Sequence, residues 1–289
     1  MILSIYLNVV VQGVLTGLVY GLMALGLSVI FGVVRVVNFA HGEFAVVAMY
    51  AAFLLFRSLG FDPLVTMLPI AAAFFVIGYA LQATVINAFI SRSQHDQFIL
   101  LVGIGMIITN GLLMVFGPDA RPANLPYGFD SYLLGPLIID KVRIYSAGAA
   151  IMIAAALFGF FRCTSLGTAI RACADNLTGA AVVGLDVKRL YAVTFGTGLA
   201  SVGAAGALME TIADAAPSLA PAYTLLAFII VIVGGLGSMA GALVGGVLIG
   251  VSEALAGFLI EPSMKSMFSF ALLIVVLVLR PRGLLGRHA

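Results

Sequence analysis

Residues 5–33 read IYLNVVVQGVLTGLVYGLMALGLSVIFGV, and no side chain between Met1 and Val34 carries a charge. A helix that crosses a bilayer needs roughly 20 mainly apolar residues. This stretch exceeds that length and opens a chain with the same character throughout. Of 289 residues, 63% are hydrophobic and 9% are charged, with 33 glycines. Soluble domains carry about 25% charged residues, so this chain has too few to build a water-facing surface. Its solvent is lipid. A secretory signal would begin with a basic segment and end at a small-residue cleavage site. Neither is present here, so the first apolar run is expected to be a retained helix.

Further apolar runs occupy 44–59, 65–90, 98–116, 142–161, 191–210, 242–260 and 264–280. The run 224–240 is interrupted by Gly234, Gly235 and Gly237. The expected fold is all-α and polytopic, with about eight spans (eight to ten) and some broken segments. No polar region exceeds about 30 residues, so 1–289 is expected to form one integral domain.

Lys and Arg accumulate in cytoplasmic loops. One set of alternate loops holds Arg35, Arg92, Arg162, Arg171, Lys188, Arg189, Arg280, Arg282 and Arg287. The other holds Arg57, Arg121, Lys141, Arg143 and Lys265, diluted by Asp62, Asp119, Asp130, Asp140, Asp214 and Glu261. The first set is therefore expected inside, with the N-terminus outside and the C-terminus cytoplasmic. That needs an odd number of crossings, so 224–240 must contribute one. The external loop, about 117–141, contains Pro118, Pro122, Pro126, Pro136, Gly128 and Gly135 and reads as ordered turns. Cys163 and Cys173 fall in the internal loop and are expected as free thiols.

That internal loop, about 162–190, includes SLGTAIRACADNLTGAAVVGLDVKRL at 165–190. Leu166, Ile170, Cys173 and Leu177 recur at helical spacing, and Arg171 and Asp175 stand four apart. Gly184 suits the position after a helix, and Asp186 suits the cap of the next span. One or two short helices lying across the membrane face would make a docking surface for a cytoplasmic partner. A plain solvated linker is the other reading.

Charges inside a bilayer are costly, so each needs a partner or a task. Asn38, His41 and Glu43 lie between the first two apolar runs, where Gly42 suggests a broken helix: a pathway or gate, or a structural turn. Glu253 is the lone charge of its run and either pairs or faces a water-filled path. Glu210 closes a span and is expected to reach the outer interface. Gln82, Asn87 and Asn110 are expected to hydrogen-bond between helices. The glycines of 234–246 fit close packing and a tight turn, not a phosphate-binding loop, which would need a lysine. No metal-ligand spacing, nucleophile elbow or zinc-helix motif occurs. An active transporter built on this chain must borrow its energy.

Four blocks resemble one family. Gly21-Leu-Met-Ala-Leu-Gly-Leu-Ser-Val-Ile-Phe-Gly32 with Asn38-Phe-Ala-His-Gly-Glu-Phe44 is similar to the N-terminal signature of branched-chain amino-acid permeases. The loop Gly167–Asp186, the segment Gly234–Gly246 and the run Leu279-Arg-Pro-Arg-Gly-Leu-Leu285 resemble its coupling loop, glycine-rich segment and terminus. The resemblance is to the H-type inner-membrane subunit of ABC importers. It implies no enzymatic activity and no cofactor. It implies a second, M-type permease subunit, two cytoplasmic ATPases, a periplasmic solute-binding protein and a bacterial inner membrane. Gly167, Arg171, Asp175, Ala180, Ala181, Gly184 and Asp186 would form the coupling surface. Asn38, His41, Glu43, Glu253, Gly234, Gly235, Gly237 and Ser238 would line or gate the path. One departure is Gly179, where many ABC importers carry a glutamate. The expected solutes are branched-chain amino acids; urea, short amides and aromatic acids are alternatives. A stand-alone channel or secondary transporter is the remote alternative.

Overall fold

The computed structural model describes residues 2–90, 92–135 and 137–286. Pro136 and Arg287, named above, lie outside the described residues. The chain forms α1 (Ile2–Val34), α2 (His41–Leu59), α3 (Pro63–Thr84), α4 (Gln94–Phe116), a hairpin of β1 (Ser131–Leu134) and β2 (Leu137–Asp140), then α5 (Lys141–Cys163), α6 (Ser165–Asp175), α7 (Leu177–Val182), α8 (Val187–Met209), α9 (Ala220–Gly234), α10 (Met239–Leu259) and α11 (Lys265–Leu279). Among the described residues, eight helices are long and apolar enough to cross a bilayer; α11, at 15 residues, is shorter. The all-α, polytopic expectation holds.

Local chemistry sets the boundaries. Asp62 accepts the Leu64 N–H at 2.8 Å, and Pro63 supplies a preset first helical residue for α3. Ser93, Thr164, Asn176, Asp186 and Ser238 cap α4, α6, α7, α8 and α10 through their side-chain oxygens. The helix α2 begins at His41, earlier than the apolar run at 44, because His41-Gly-Glu43 is polar yet helical. Glu43 then sits in the first turn, where a negative charge suits the helix dipole.

The break within 224–240 falls at the glycines that interrupt it. The helix α9 stops at Gly234, and Gly235 and Gly237 take φ of 109° and 77° in the turn that follows. Such backbone favours glycine. The crossing gains length upstream, from a 3₁₀ turn at Pro217–Leu219.

Lipid gives helices no hydrophobic reason to associate, so close backbone packing does that work. Gly13, Gly17 and Gly21 fall four residues apart on α1 and meet Gly246 and Gly250 of α10. A Cβ on Gly17 would lie 2.6 Å from the Gly246 carbonyl oxygen. On another face of α1, a Cβ on Gly26 would lie too close to the Gly198 carbonyl of α8. The most apolar stretches of α1 and α8 are 78% and 83% buried, against 22% for α3 and 17% for α4. Thus α1 and α8 form the centre, and α3 and α4 the rim.

The loop of residues 117–141 is turn-rich as expected, with additions. The hairpin pairs Ser131 with Asp140 antiparallel, and Arg121 bridges Ala215. Tyr127 donates its hydroxyl to Asp62, tying the loop to the start of α3. Burial and that hydrogen bond push the Tyr127 phenol above its ordinary pKa.

Candidate functional site: a cleft beside two short helices and a polar pocket toward the far end of α10

Residues 165–182 form two helices outside the spans. On α6, Gly167, Ile170 and Cys173 turn inward, and burial raises the Cys173 thiol pKa. Both cysteines are free thiols, with Cys163 exposed. Leu166 and Leu177 do not join the buried stripe: they are 48% and 49% exposed. Val182 and Val183 are 81% and 75% exposed. Arg171 and Asp175 do not pair. Among the described residues the ion pairs are Lys141–Asp130 and Arg143–Asp140, and Arg171 instead donates to the Thr168 hydroxyl at 3.3 Å. Ala180 is buried at the base of α7, while Ala181 is exposed. Gly184 adopts φ of 85°, and the Asp186 carboxylate accepts the Arg189 N–H at 3.1 Å, as their positions predicted.

A cleft of about 500 Å³ opens beside α6. Its walls include Ser28 and Gly32 of α1, Phe161 and Arg162 of α5, Arg171 of α6, and Gly237 and Ser238 of the α9–α10 turn. Ser238 Oγ accepts the Gly241 N–H at 3.0 Å and starts α10 there. Gly234 and Gly235 lie behind this turn, covered by the C-terminal run: Leu284 and Leu285 donate to the carbonyls of Val233 and Gly234, each at 2.9 Å. Two blocks 45 residues apart in sequence thus form one structure.

Asn38, His41 and Glu43 are placed elsewhere, locked between helices. His41 Nε2 meets the Met23 carbonyl of α1 at 2.9 Å. Glu43 accepts from Thr224 Oγ1 of α9 at 2.7 Å, and that oxygen accepts the Gly42 N–H, also at 2.7 Å. Asn38 Oδ1 turns back on the Ala40 N–H at 3.1 Å. All three side chains are at most 7% exposed, so this segment is a tight junction of α1, α2 and α9.

Glu253 lies apart from them. Its Oε1 accepts from Ser269 of α11 at 3.1 Å, and it lines a pocket of about 330 Å³ with Tyr20, Tyr223 and Lys265. Glu210 follows the last residue of α8 and is 2% exposed, so it is buried at that helix end. The Arg121–Ala215 bridge ties the loop of residues 117–141 to the segment that follows α8. Asn87 does bond between elements, to the Lys188 carbonyl at 3.4 Å, and Gln82 donates to Asn87 at 3.0 Å. Asn110 does not: on an exposed face of α4 it donates to Met106, one turn back, at 2.7 Å.

Sequence reasoning missed Thr224, Lys265, Tyr20 and Tyr223. No local pattern reveals a partner 181 residues away, which is the separation of Thr224 from Glu43. The α1 glycine seam did leave a signal: Gly13, Gly17 and Gly21 at helical spacing.

A family model described as "Branched-chain amino acid transport system / permease component" matches residues 9–277. The chain belongs to this family. The permease is 30% identical, over 98% of its length and 96% of the relative's, to the high-affinity branched-chain amino acid transport system permease protein LivH of Salmonella typhimurium. It is 29% identical to BraD of Pseudomonas aeruginosa over the same shares of both chains. It is 26% identical to a probable branched-chain amino acid transport permease protein LivH of Methanocaldococcus jannaschii, over 92% of this permease and 88% of that protein. No solved structure matches the permease.

Proposed function

We propose that this permease is the membrane subunit of an ABC importer that carries branched-chain amino acids and is driven through α6 and α7 by cytoplasmic ATPases. The observation that carries the docking surface is the exposed apolar patch of Leu166, Leu177, Val182 and Val183 on a segment outside the spans. Lipid explains exposed leucines on α4, but not here. Such patches on the aqueous side mark protein contacts. Family membership supports the transport role, and the relatives named above support the solute class.

In this reading the short helix α11 supplies a ninth crossing, so the N-terminus is outside and the C-terminus cytoplasmic, in a bacterial inner membrane. A second permease subunit of the M type completes the path, and a periplasmic binding protein supplies the solute. Residues 165–186 receive the ATPase movement. The cleft beside α6 passes it to the Gly234–Ser238 turn, which shares the cleft wall with Arg171. The Asn38–Glu43 junction moves α1, α2 and α9 together as the path changes sides. Its role is to hold the gate's geometry, not to contact solute.

The test is uptake and ATP hydrolysis by the assembled importer in proteoliposomes. Val183→Glu and Arg171→Glu should assemble, hydrolyse ATP and lose most uptake of leucine, isoleucine and valine. Normal uptake in both variants refutes the docking surface. Flux through the permease without any ATPase refutes the importer.

A further inference from the structure

We propose that the pocket between α1, α9, α10 and α11 is an acceptor subsite for the zwitterion of a small apolar α-amino acid, with its ammonium at Glu253 and its carboxylate at Lys265. This rests on the permease reading above and gives that reading a place where solute is held.

Position comes first. The helix α10 starts at Met239, beside the α6 cleft, and ends at Leu259. Glu253 is six residues before that end, so about 9 Å from it at 1.5 Å per residue. Lys265 opens α11, and Tyr223 lies in the first turn of α9. The pocket therefore sits at the end of the bundle away from α6 and α7, where a solute delivered from outside would arrive.

Charge comes second. Among the described residues, Glu253 has Ser269 as its one hydrogen-bond partner and no ion pair. Lys265 lines the same pocket, and its ammonium makes no ion pair either. Two opposite charges thus share a cavity without closing on each other. Glu253 is half-buried, where an unpaired carboxylate is costly until a counter-charge arrives, while Lys265 stands exposed at the pocket's rim. A zwitterion brings both counter-charges on one carbon. The amino end of α11 adds a positive pole beside Lys265, which favours a carboxylate there. A neutral amide or urea satisfies neither charge. A purely anionic acid leaves Glu253 facing negative charge.

Size and lining come third. The volume of about 330 Å³ lies at the small end for ligand sites. Leu226, Ile229 and Phe270 present an apolar wall for an aliphatic side chain, and Tyr20 and Tyr223 close the polar side.

The experiment uses the assembled importer with its ATPases and binding protein in proteoliposomes. Glu253→Gln and Lys265→Met are each checked for assembly by co-purification. Each should lower leucine uptake about tenfold or more by removing a charge-assisted hydrogen bond. ATP hydrolysis stimulated by the binding protein should persist. As a second measurement, Lys265→Cys in a Cys163→Ser background is treated from outside with a cationic, membrane-impermeant methanethiosulfonate. Modification should restore uptake, and excess leucine should slow it. Wild-type uptake in both charge variants, or modification indifferent to leucine, overturns the subsite and leaves the permease reading standing. A wild-type importer that takes up no branched-chain amino acid overturns both.

Discussion

Replacing Gly246 with alanine should loosen the seam that holds α10 to α1. An added Cβ would lie 2.4 Å from Gly21 Cα, 2.5 Å from Gly21 N and 2.6 Å from the Gly17 carbonyl oxygen. Those neighbours are all backbone, so no flexible side chain can swing aside. Restoring a contact of 3.4 Å requires the two helices to part by about 1 Å. Overpacking of this kind costs about 1–3 kcal/mol, while Gly to Ala inside a helix returns about 0.5–1 kcal/mol. At the middle of both ranges the net loss should be about 1 kcal/mol, or a melting midpoint lower by about 2 °C for a chain of this size. Gly148→Ala is the control, because nothing lies within 4 Å of its added Cβ and the site is exposed. It should hold or slightly raise the midpoint. The assay is a thiol-reactive dye melt in detergent in a Cys163→Ser background, where buried Cys173 reports unfolding. A Gly246→Ala midpoint equal to or above wild type refutes the reasoning. So does an equal drop in the control.

Thr224→Val should destabilise the α2–α9 junction by about 1–3 kcal/mol, because it strands both the Gly42 N–H and a Glu43 oxygen; the same dye melt reads it. In native membranes a maleimide should label exposed Cys163 and spare Cys173, and an impermeant one should reach Cys163 only in inside-out vesicles. Labelling from the outer face would reverse the proposed orientation. Because the Tyr127 phenol titrates higher when folded than when unfolded, the folded state holds its proton more tightly, and stability falls as pH rises beyond about 10. A pH series of melts for Tyr127→Phe should show a shallower fall over that range. Gly184→Ala should cost roughly 1 kcal/mol through its φ of 85° and reduce uptake per ATP hydrolysed.

The spans were legible because lipid demands a long apolar run, and residues 5–33 state that demand without interruption. Helix caps were legible for a different reason: Asp186 and Gly184 act within three residues of themselves, so the pattern and the contact are the same thing. The polar groups inside the bundle were not. His41 and Glu43 look alike as candidates for a path, yet each is bonded to a neighbour, Met23 and Thr224, whose approach depends on how three helices cross. Glu253 and Lys265 are twelve residues apart across a turn between helices, and only the folding of α11 onto α10 puts them into one pocket. The burial of Glu210 was not legible either, because no pattern near residue 210 shows what packs over the end of α8.

The helix α1 contains 33 residues and so measures about 50 Å, against a hydrocarbon core of about 30 Å. At an ordinary tilt near 20° the membrane accounts for about 32 Å of that length. The remainder is a stiff extension, and the hairpin grips it: Asn8 accepts the Ile138 N–H of β2 at 2.8 Å. The other end of the same rod, at Ser28 to Val33, forms a wall of the cleft beside α6. A beam of that length pivoting 5° about its middle swings each tip by about 2 Å, with opposite sign on the two sides of the membrane. Leverage of this kind needs no chain of intermediate contacts: a push on the hairpin and a pull at the cleft would be one rotation.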